Sequence, residues 1–121
     1  MKLLIADDNA KIRWLVRLFC ANVATEMRDC ADGNEAIEAF AAFQPDWTIM
    51  DLGLPRLDGL SAIKQILTNH PDARIVVVTQ YTGPEYEQAA REAGACAFVC
   101  KNNLIELLKV LSRKSSDVGQ G

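Results

Sequence analysis

Short apolar segments alternate along the chain with longer segments in which apolar residues recur every three or four positions. The short segments predict buried strands, and the longer ones predict helices with one apolar face. Such an alternation is typical of a parallel sheet covered by helices on both faces. We predict five strands, at Lys2–Ala6, Thr25–Ala31, Trp47–Met50, Arg74–Thr79 and Ala97–Cys100. The second is the most polar and is therefore expected at an edge of the sheet.

Five helices are predicted between and after these strands. The first carries Ile12, Leu15, Val16 and Phe19 on one face, and the last carries Leu104, Leu107, Leu108 and Leu111. The other three are expected at Asn34–Phe43, Asp58–Asn69 and Pro84–Ala93. Asn9 is a candidate N-cap and Gly94 a candidate C-terminal exit. The fold class is therefore α/β, a doubly wound, five-stranded parallel sheet of the (βα)5 kind.

The length of 121 residues fits a single domain, which we place at residues 1–111. Residues 112–121 lose the apolar period and are predicted to form a C-terminal tail or linker. No apolar run approaches the ~20 residues that a membrane span needs, and Asp7 and Asp8 interrupt the opening apolar run too early for a signal peptide. We expect a cytoplasmic protein without membrane contact.

The charge and the cysteines exclude two further classes of function. The net charge is −3 and no stripe of Lys and Arg is present, so the domain itself is not expected to contact nucleic acid. The four cysteines form no C-x-x-C pair that would anchor a zinc site. We interpret them as buried thiols, a common role for free cysteine.

The candidate chemistry lies at the strand ends, where open α/β sheets bind their ligands. Asp7 and Asp8 follow the first strand and Asp51 follows the third. Thr79 ends the fourth strand and Lys101 follows the fifth. In the flavodoxin-like strand order 2-1-3-4-5, the first and third strands are neighbours, so the three carboxylates would share one cleft.

Three carboxylates in one cleft repel one another unless one is protonated or a cation joins them. An all-oxygen ligand set suits Mg2+, which keeps several waters and shares substrate phosphates. One carboxylate can also act as a nucleophile toward a phosphoryl group, while a lysine and a hydroxyl hold the phosphoryl oxygens. Lys101 and Thr79 are placed for that role. The sequence therefore predicts a magnesium-dependent phosphoryl-transfer site.

These features together resemble the CheY-like receiver domains of two-component response regulators. The resemblance rests on Asp7-Asp8, on the Asp51–Gly59 stretch DLGLPRLDG, on Thr79 and on the sequence FVCK ending at Lys101. The motifs occur in the order and spacing of the family, each at a strand end, which makes the set more specific than any single motif. The resemblance covers essentially the whole chain.

The resemblance implies a signalling switch and not a turnover enzyme. Asp51 would accept a phosphoryl group from the phosphohistidine of a sensor histidine kinase or a phosphotransfer protein. The main-chain carbonyl of Gly53 would join the three aspartates in holding Mg2+. Gly53 and Tyr81 occupy positions that in the family tune hydrolysis of the phospho-aspartate, and neither can position an attacking water as an acid or amide could. We therefore predict slow self-dephosphorylation.

The resemblance also implies how the signal leaves the domain. Thr79 would move toward the phosphate, and Phe98, at the Tyr/Phe switch position of the family, would turn inward. The readout face would comprise the fourth helix, the fifth strand and the fifth helix. Asn102 stands where most of the family has a proline, a feature shared with NarL/LuxR-type regulators, whose receivers precede a DNA-binding helix-turn-helix. We expect transcriptional output through an attached domain, and a phosphorylation-dependent homodimer is compatible with this.

Three alternatives remain open at this point. A haloacid-dehalogenase-like phosphatase also forms an aspartyl-phosphate, but it needs an acid/base two residues after the nucleophile, where this chain has Gly53. A flavodoxin-like flavin or nucleotide binder would need a phosphate loop after the first strand, where Asp7 and Asp8 would repel the phosphate. The third is a receiver that serves as an unphosphorylated interaction module.

Overall fold

The computed structural model describes residues 1–113, and the predicted tail at 112–121 therefore lies mostly outside the described residues. Strands and helices alternate along this part of the chain. They are β1 (Lys2–Ala6), α1 (Ala10–Cys20), β2 (Glu26–Cys30), α2 (Gly33–Phe43), β3 (Trp47–Met50), α3 (Gly59–Asn69), β4 (Ile75–Thr79), α4 (Pro84–Ala93), β5 (Ala97–Cys100) and α5 (Leu104–Leu111).

The strands form one parallel sheet in the order β2-β1-β3-β4-β5. The α/β fold class and the flavodoxin-like strand order are thus confirmed. β2 lies at an edge, in agreement with its polar sequence, and alternates exposed and less exposed residues. β4 lies inside the sheet and all five of its residues are buried.

The bounds of three strands agree with the prediction. β2 is one residue shorter than predicted at each end, because it starts at Glu26 and ends at Cys30, and β4 is one residue shorter at its start. β2 begins at Glu26 because the register of the sheet starts with Lys2 opposite Glu26. Thr25 instead forms a separate contact in which its amide donates to the carbonyl oxygen of Met1 at 2.8 Å. β4 begins at Ile75 and not at Arg74.

Each face of the sheet carries its own apolar core, because neighbouring residues of a strand point to opposite faces. Leu4 and Ala6 of β1 pack with buried residues of α2, α3 and α4 on one face. Leu3 and Ile5 pack with buried residues of α1 and α5 on the other. This is the doubly wound arrangement that the sequence predicts.

The buried face of α1 differs from the prediction. Val16 and Cys20 point into the core, while Phe19 is 38% exposed. Residues four apart lie on one face of a helix, so the Val16–Cys20 pair defines the inward stripe and leaves Phe19 at its border. Trp14 and Leu18, on the outer side of α1, are 61% and 58% exposed. In α5, Leu104, Leu107 and Leu111 are buried as predicted, and Leu108 is half-buried.

Helix ends are set by local hydrogen bonds. The Asn9 side chain accepts from the amides of Lys11 and Ile12, which makes it the N-cap of α1. Asp58 caps α3 in the same way through the amide of Ser61, so the helix itself begins at Gly59. Gly94 ends α4 with a φ of 112°, a value that favours glycine.

The cysteines are all free thiols. Cys20 and Cys30 are buried as predicted, while Cys96 and Cys100 are half-buried. Burial raises the pKa of the Cys20 thiol to about 11. Burial, together with nearby carboxylates, raises the pKa of the Cys30 thiol to about 12. Neither buried thiol is therefore an activated nucleophile.

No helix among residues 1–113 is long and apolar enough to cross a membrane.

Candidate functional site

The carboxyl ends of the strands bring three aspartates together. Asp7 and Asp8 follow β1, and Asp51 follows β3, which lies next to β1 in the sheet. One carboxylate oxygen of each lies within 4.8 Å of the others. Asp7 and Asp51 are buried, whereas Asp8 is exposed. A cluster with two buried members and one exposed member can receive a cation from the solvent side.

Lys101 lies against this cluster from the end of β5. Its Nζ is 2.9 Å from Oδ2 of Asp7 and 3.4 Å from Oδ2 of Asp51. Burial lowers the pKa of Lys101, but the hydrogen bonds and negative charges of Asp7 and Asp51 together outweigh burial, so the pKa is raised. Burial raises the pKa of Asp7, and the bond from Lys101 only partly opposes this. One cation faces three carboxylates, so the cluster carries excess negative charge.

The second carboxylate oxygen of Asp51 is not satisfied. Oδ1 is buried and has no hydrogen-bond partner among the described residues. A buried charged oxygen without a partner costs free energy, so this oxygen is a candidate ligand for a cation. A hard divalent cation prefers ligands of this kind, and the carboxylate set therefore fits Mg2+.

Thr79 is the last residue of β4. Its side chain is fully buried, and its Oγ1 accepts a hydrogen bond from the amide of Tyr81 at 3.3 Å. The main chain ties it to the lysine, because the amide of Lys101 donates to the carbonyl oxygen of Thr79 at 2.9 Å. The hydroxyl and the ammonium group thus belong to neighbouring strand ends.

A cleft of about 380 Å3 opens at this edge of the sheet. It is lined by Asp8, Asn9, Asp51, Gly53, Gln80, Tyr81 and Lys101. Asn9 is predicted from the sequence only as a helix cap, and Gln80 is not predicted to belong to the site. Both directly follow residues at strand ends that were singled out, and that adjacency was the available signal.

The loop after Asp51 is shaped by two close approaches. A Cβ atom at Gly59 would collide with the main-chain oxygen of Asp51, so only glycine lets α3 begin this close to the site. A Cβ atom at Gly53 would lie 3.0 Å from Cε2 and 3.2 Å from the hydroxyl of Tyr81. The Tyr81 ring therefore covers Gly53 at the cleft wall, and it lies 5.4 Å from the ring of Tyr86 on α4.

Two predicted features lie away from the cleft. Phe98, in the middle of β5, is half-buried and packs against the core cluster of α2, α3 and α4. It also borders a shallow surface depression of about 260 Å3 between α4 and α5. The turn after Lys101, where Asn102 replaces a proline, contains no cis peptide bond, and neither does any other position among residues 1–113.

Comparison with known proteins identifies the family. A sequence profile described as "Response regulator receiver domain" matches residues 3–112. The chain is a response regulator receiver domain. It therefore belongs to a two-component signalling system. This family assignment excludes the haloacid-dehalogenase-like phosphatase and the flavodoxin-like binder.

The most similar relatives include two regulators. The chain is 36% identical over 104 residues to the uncharacterized transcriptional regulatory protein YhcZ of Bacillus subtilis, covering 84% of this chain and 49% of the relative. It is 36% identical over 109 residues to a putative transcriptional regulator of Pseudomonas aeruginosa, covering 88% of this chain and 53% of the relative. The receiver domain thus spans about half the length of these curated relatives.

Solved structures agree on the fold. The response regulator domain of Thermotoga maritima CheB superimposes with a TM-score of 0.84 at 24% identity, covering 96% of both chains. A LuxR-family two-component response regulator from Aurantimonas superimposes with a TM-score of 0.82 at 27% identity, covering 98% of this chain and 92% of that one.

Proposed function

We propose that this receiver is a phosphorylation switch whose phosphoacceptor is Asp51. The observation that carries the proposal is the state of the Asp51 carboxylate at the floor of the cleft. One of its oxygens is 3.4 Å from the Lys101 ammonium, and the other is buried without a hydrogen-bond partner among the described residues. A carboxylate that is held but incompletely satisfied suits a group that exchanges partners during a reaction.

The phosphoryl donor is a phosphohistidine of a sensor histidine kinase or a phosphotransfer protein. A carboxylate oxygen of Asp51 attacks the phosphorus, a P–O bond forms, and the P–N bond breaks. The imidazole of the donor leaves and takes up a proton from solvent. This transfer depends on positioning and on charge stabilisation more than on proton shuttling, so no general base is required of this chain.

Mg2+ is the cofactor that fits the acidic cluster. The carboxylates of Asp7, Asp8 and Asp51, with the main-chain carbonyl of Gly53, would hold it. When bound, a divalent cation neutralises charge on the transferring phosphoryl oxygens. Lys101 would also neutralise charge on these oxygens. Its ammonium group contacts Asp7 and Asp51 and can rotate toward a phosphoryl oxygen.

The signal leaves the site through Thr79. Its hydroxyl accepts a hydrogen bond from the amide of Tyr81. Movement of that hydroxyl toward the phosphoryl group, to which it would donate, would break this contact and shift the loop before α4. Phe98 then turns inward at the face formed by α4, β5 and α5. Phosphorylation in this account favours an arrangement that already exists at low population.

The domain acts within a larger regulator. We assign residues 1–111 to the receiver and 112–121 to a tail or linker, and the length of the relatives supports an attached output domain. Control of transcription through a DNA-binding domain fits the names of those relatives. A cytoplasmic location and a homodimer that forms on phosphorylation belong to the same proposal, and the domain itself touches neither nucleic acid nor membrane.

Acetyl phosphate tests the proposal, because a small phosphodonor needs no partner protein. The wild-type domain and Asp51→Asn are incubated with it, with and without Mg2+, and their intact masses are recorded. One added phosphoryl group that requires Mg2+ and is lost in the variant is expected. No addition to the wild type would overturn the proposal and leave an unphosphorylated interaction module.

A further inference from the structure

The polar groups of Asp7 are held at four points. Its amide donates to the carbonyl oxygen of Cys30 at 3.1 Å. Its carboxylate accepts from the amide of Asn9 at 2.9 Å and contacts the ammonium group of Lys101 at 2.9 Å. Its carbonyl oxygen accepts from Nη1 of Arg13 at 2.8 Å. Two of these partners are side chains, and of the two only Lys101 has a role in the proposed phosphoryl transfer, which leaves Arg13 unexplained.

Arg13 is itself anchored on the edge strand. It lies one turn into α1, and its Nε is 3.5 Å from Oδ2 of Asp29 on β2. The other oxygen of Asp29 accepts from Arg17, whose Nε and Nη2 lie 2.8 Å and 2.7 Å away. The Arg13 and Asp29 side chains are 23% and 28% exposed, so this cluster is partly shielded from solvent. Asp29 thus holds the Arg13 guanidinium in place.

The bond from Arg13 acts on the peptide that joins two of the three acidic residues. The carbonyl oxygen of Asp7 belongs to the peptide unit between Asp7 and Asp8, and the atoms of such a unit move as a plane. Fixing this oxygen fixes the direction in which the chain enters Asp8. Asp8 is the exposed member of the cluster, so its carboxylate depends on the main chain for its placement.

We propose that Arg13 is a positioning residue for the acidic cluster. It orients the Asp7–Asp8 peptide so that the Asp8 carboxylate meets those of Asp7 and Asp51. Arginine suits the role because its rigid planar fork directs separate nitrogens at the carbonyl oxygen and at the carboxylate, whereas a lysine offers a single, freely rotating ammonium group. The inference rests on the proposed function, since it concerns how the cluster receives Mg2+.

Charge and orientation predict opposite effects when Arg13 is removed. If Arg13 acted only as a nearby positive charge, its loss would strengthen the binding of a cation at the cluster. If it positions the cluster, its loss weakens binding, and groups that orient metal ligands typically contribute about 10- to 100-fold in affinity. The sign of the change in Mg2+ affinity therefore distinguishes the two roles.

The relative affinity for Mg2+ and Ca2+ gives a second measurement, which would not change if Arg13 only stabilised the fold. Mg2+ requires near-octahedral geometry, whereas Ca2+ tolerates irregular ligand sets. A cluster that has lost its orientation should lose more affinity for Mg2+ than for Ca2+. The dissociation constant for Mg2+ divided by that for Ca2+ should therefore rise in the variant.

The test compares Arg13→Met and Arg13→Lys with Arg17→Met. Arg17 shares Asp29 with Arg13 but makes no hydrogen bond or ion pair with Asp7 among residues 1–113, so it is the matched control. Calorimetric titration with Mg2+ alone and with Ca2+ alone gives the affinities, and urea unfolding without metal gives the stability of each variant. Both changes at position 13 are expected to weaken Mg2+ binding at least tenfold, about the lower end of that range, and Arg17→Met to leave it unchanged.

Each outcome decides between the claims. Unchanged or tighter Mg2+ binding in Arg13→Met, with normal binding in the wild type, would overturn the positioning role alone. Equal losses in Arg13→Met and Arg17→Met would also overturn it, because the common cause would be the loss of pairing to Asp29. A wild-type domain that binds no Mg2+ would overturn the proposed metal site together with this inference.

Discussion

Replacement of Lys101 by methionine tests how much the ammonium group stabilises the cluster of three carboxylates. Methionine keeps an unbranched apolar chain but removes the ammonium group that contacts Asp7 at 2.9 Å and Asp51 at 3.4 Å. Three carboxylates with oxygens within 4.8 Å of one another then remain without that cation. We expect the variant to be less stable than the wild type in the absence of Mg2+.

The size of the effect follows from the distances. Two unit charges 4.8 Å apart repel by about 3.5 kcal/mol at an effective dielectric constant of about 20. Removing one partner of a fully buried pair costs about 3 to 5 kcal/mol, and this cleft opens to solvent, so we expect about 2 to 4 kcal/mol. With a urea dependence of about 2 kcal/mol per molar, the unfolding midpoint should fall by about 1 to 2 M.

The loss should also depend on pH. Burial raises the pKa of Asp7 and Lys101 lowers it, so removing the lysine raises that pKa further. A carboxyl group whose pKa is higher in the folded chain than in the unfolded chain lowers the free energy of unfolding as pH rises, because the unfolded chain releases the proton first. The difference in free energy of unfolding between the wild type and the variant is therefore greatest when the carboxylates are ionised. It becomes smaller as pH falls toward the ordinary pKa of a carboxyl group.

Urea unfolding of the variant tests this reasoning at about pH 7.5 and about pH 5. The fluorescence of Trp47, which is 1% exposed in the fold, reports the transition. Lys64→Met, which removes an exposed lysine on α3, is the matched control. Added Mg2+ should restore much of the stability. A variant as stable as the control without Mg2+ at the higher pH would refute the electrostatic account.

Two further predictions concern the cleft wall and the thiols. The phosphoryl group on Asp51 should be hydrolysed slowly in the wild-type domain. Tyr81→Ala should shorten the lifetime of the phosphorylated form, because the ring that covers Gly53 no longer limits access of water. A wild-type lifetime of seconds that Tyr81→Ala extends would contradict this. A thiol-specific disulfide reagent at neutral pH should modify Cys96 and Cys100 before Cys20 and Cys30, whose burial and raised pKa leave little thiolate. Mass mapping of early products would show the opposite order if the account is wrong.

The fold follows from the sequence because its strongest signals agree with one another. The apolar strands, the helical periods and the Asn9 and Gly94 helix ends all point to the same (βα)5 arrangement, and the strand bounds differ by at most one residue. The α1 face was harder to predict. Phe19 fits the apolar period as well as Cys20 does, and only packing against the sheet selects Cys20.

The site was predictable where it depends on topology and not where it depends on side-chain geometry. Adjacent strands bring Asp7 and Asp51 together whatever the loops do. In contrast, the ring of Tyr81 over Gly53 depends on the path of the loop before α4, which no periodic pattern specifies. The bond from Arg13 to the carbonyl of Asp7 was not predicted either, since a surface arginine on a helix gives no signal of its partner.

The most direct test of the central claim is to locate the phosphoryl group on the chain. The domain is treated with acetyl phosphate and Mg2+, and borohydride then reduces the acyl phosphate, which converts a phosphorylated aspartate into homoserine. Peptide mass spectrometry reads the position. The account predicts homoserine at position 51, with positions 7 and 8 unchanged. Homoserine at Asp7 or Asp8, or at no aspartate in a sample whose intact mass shows phosphorylation, would contradict it.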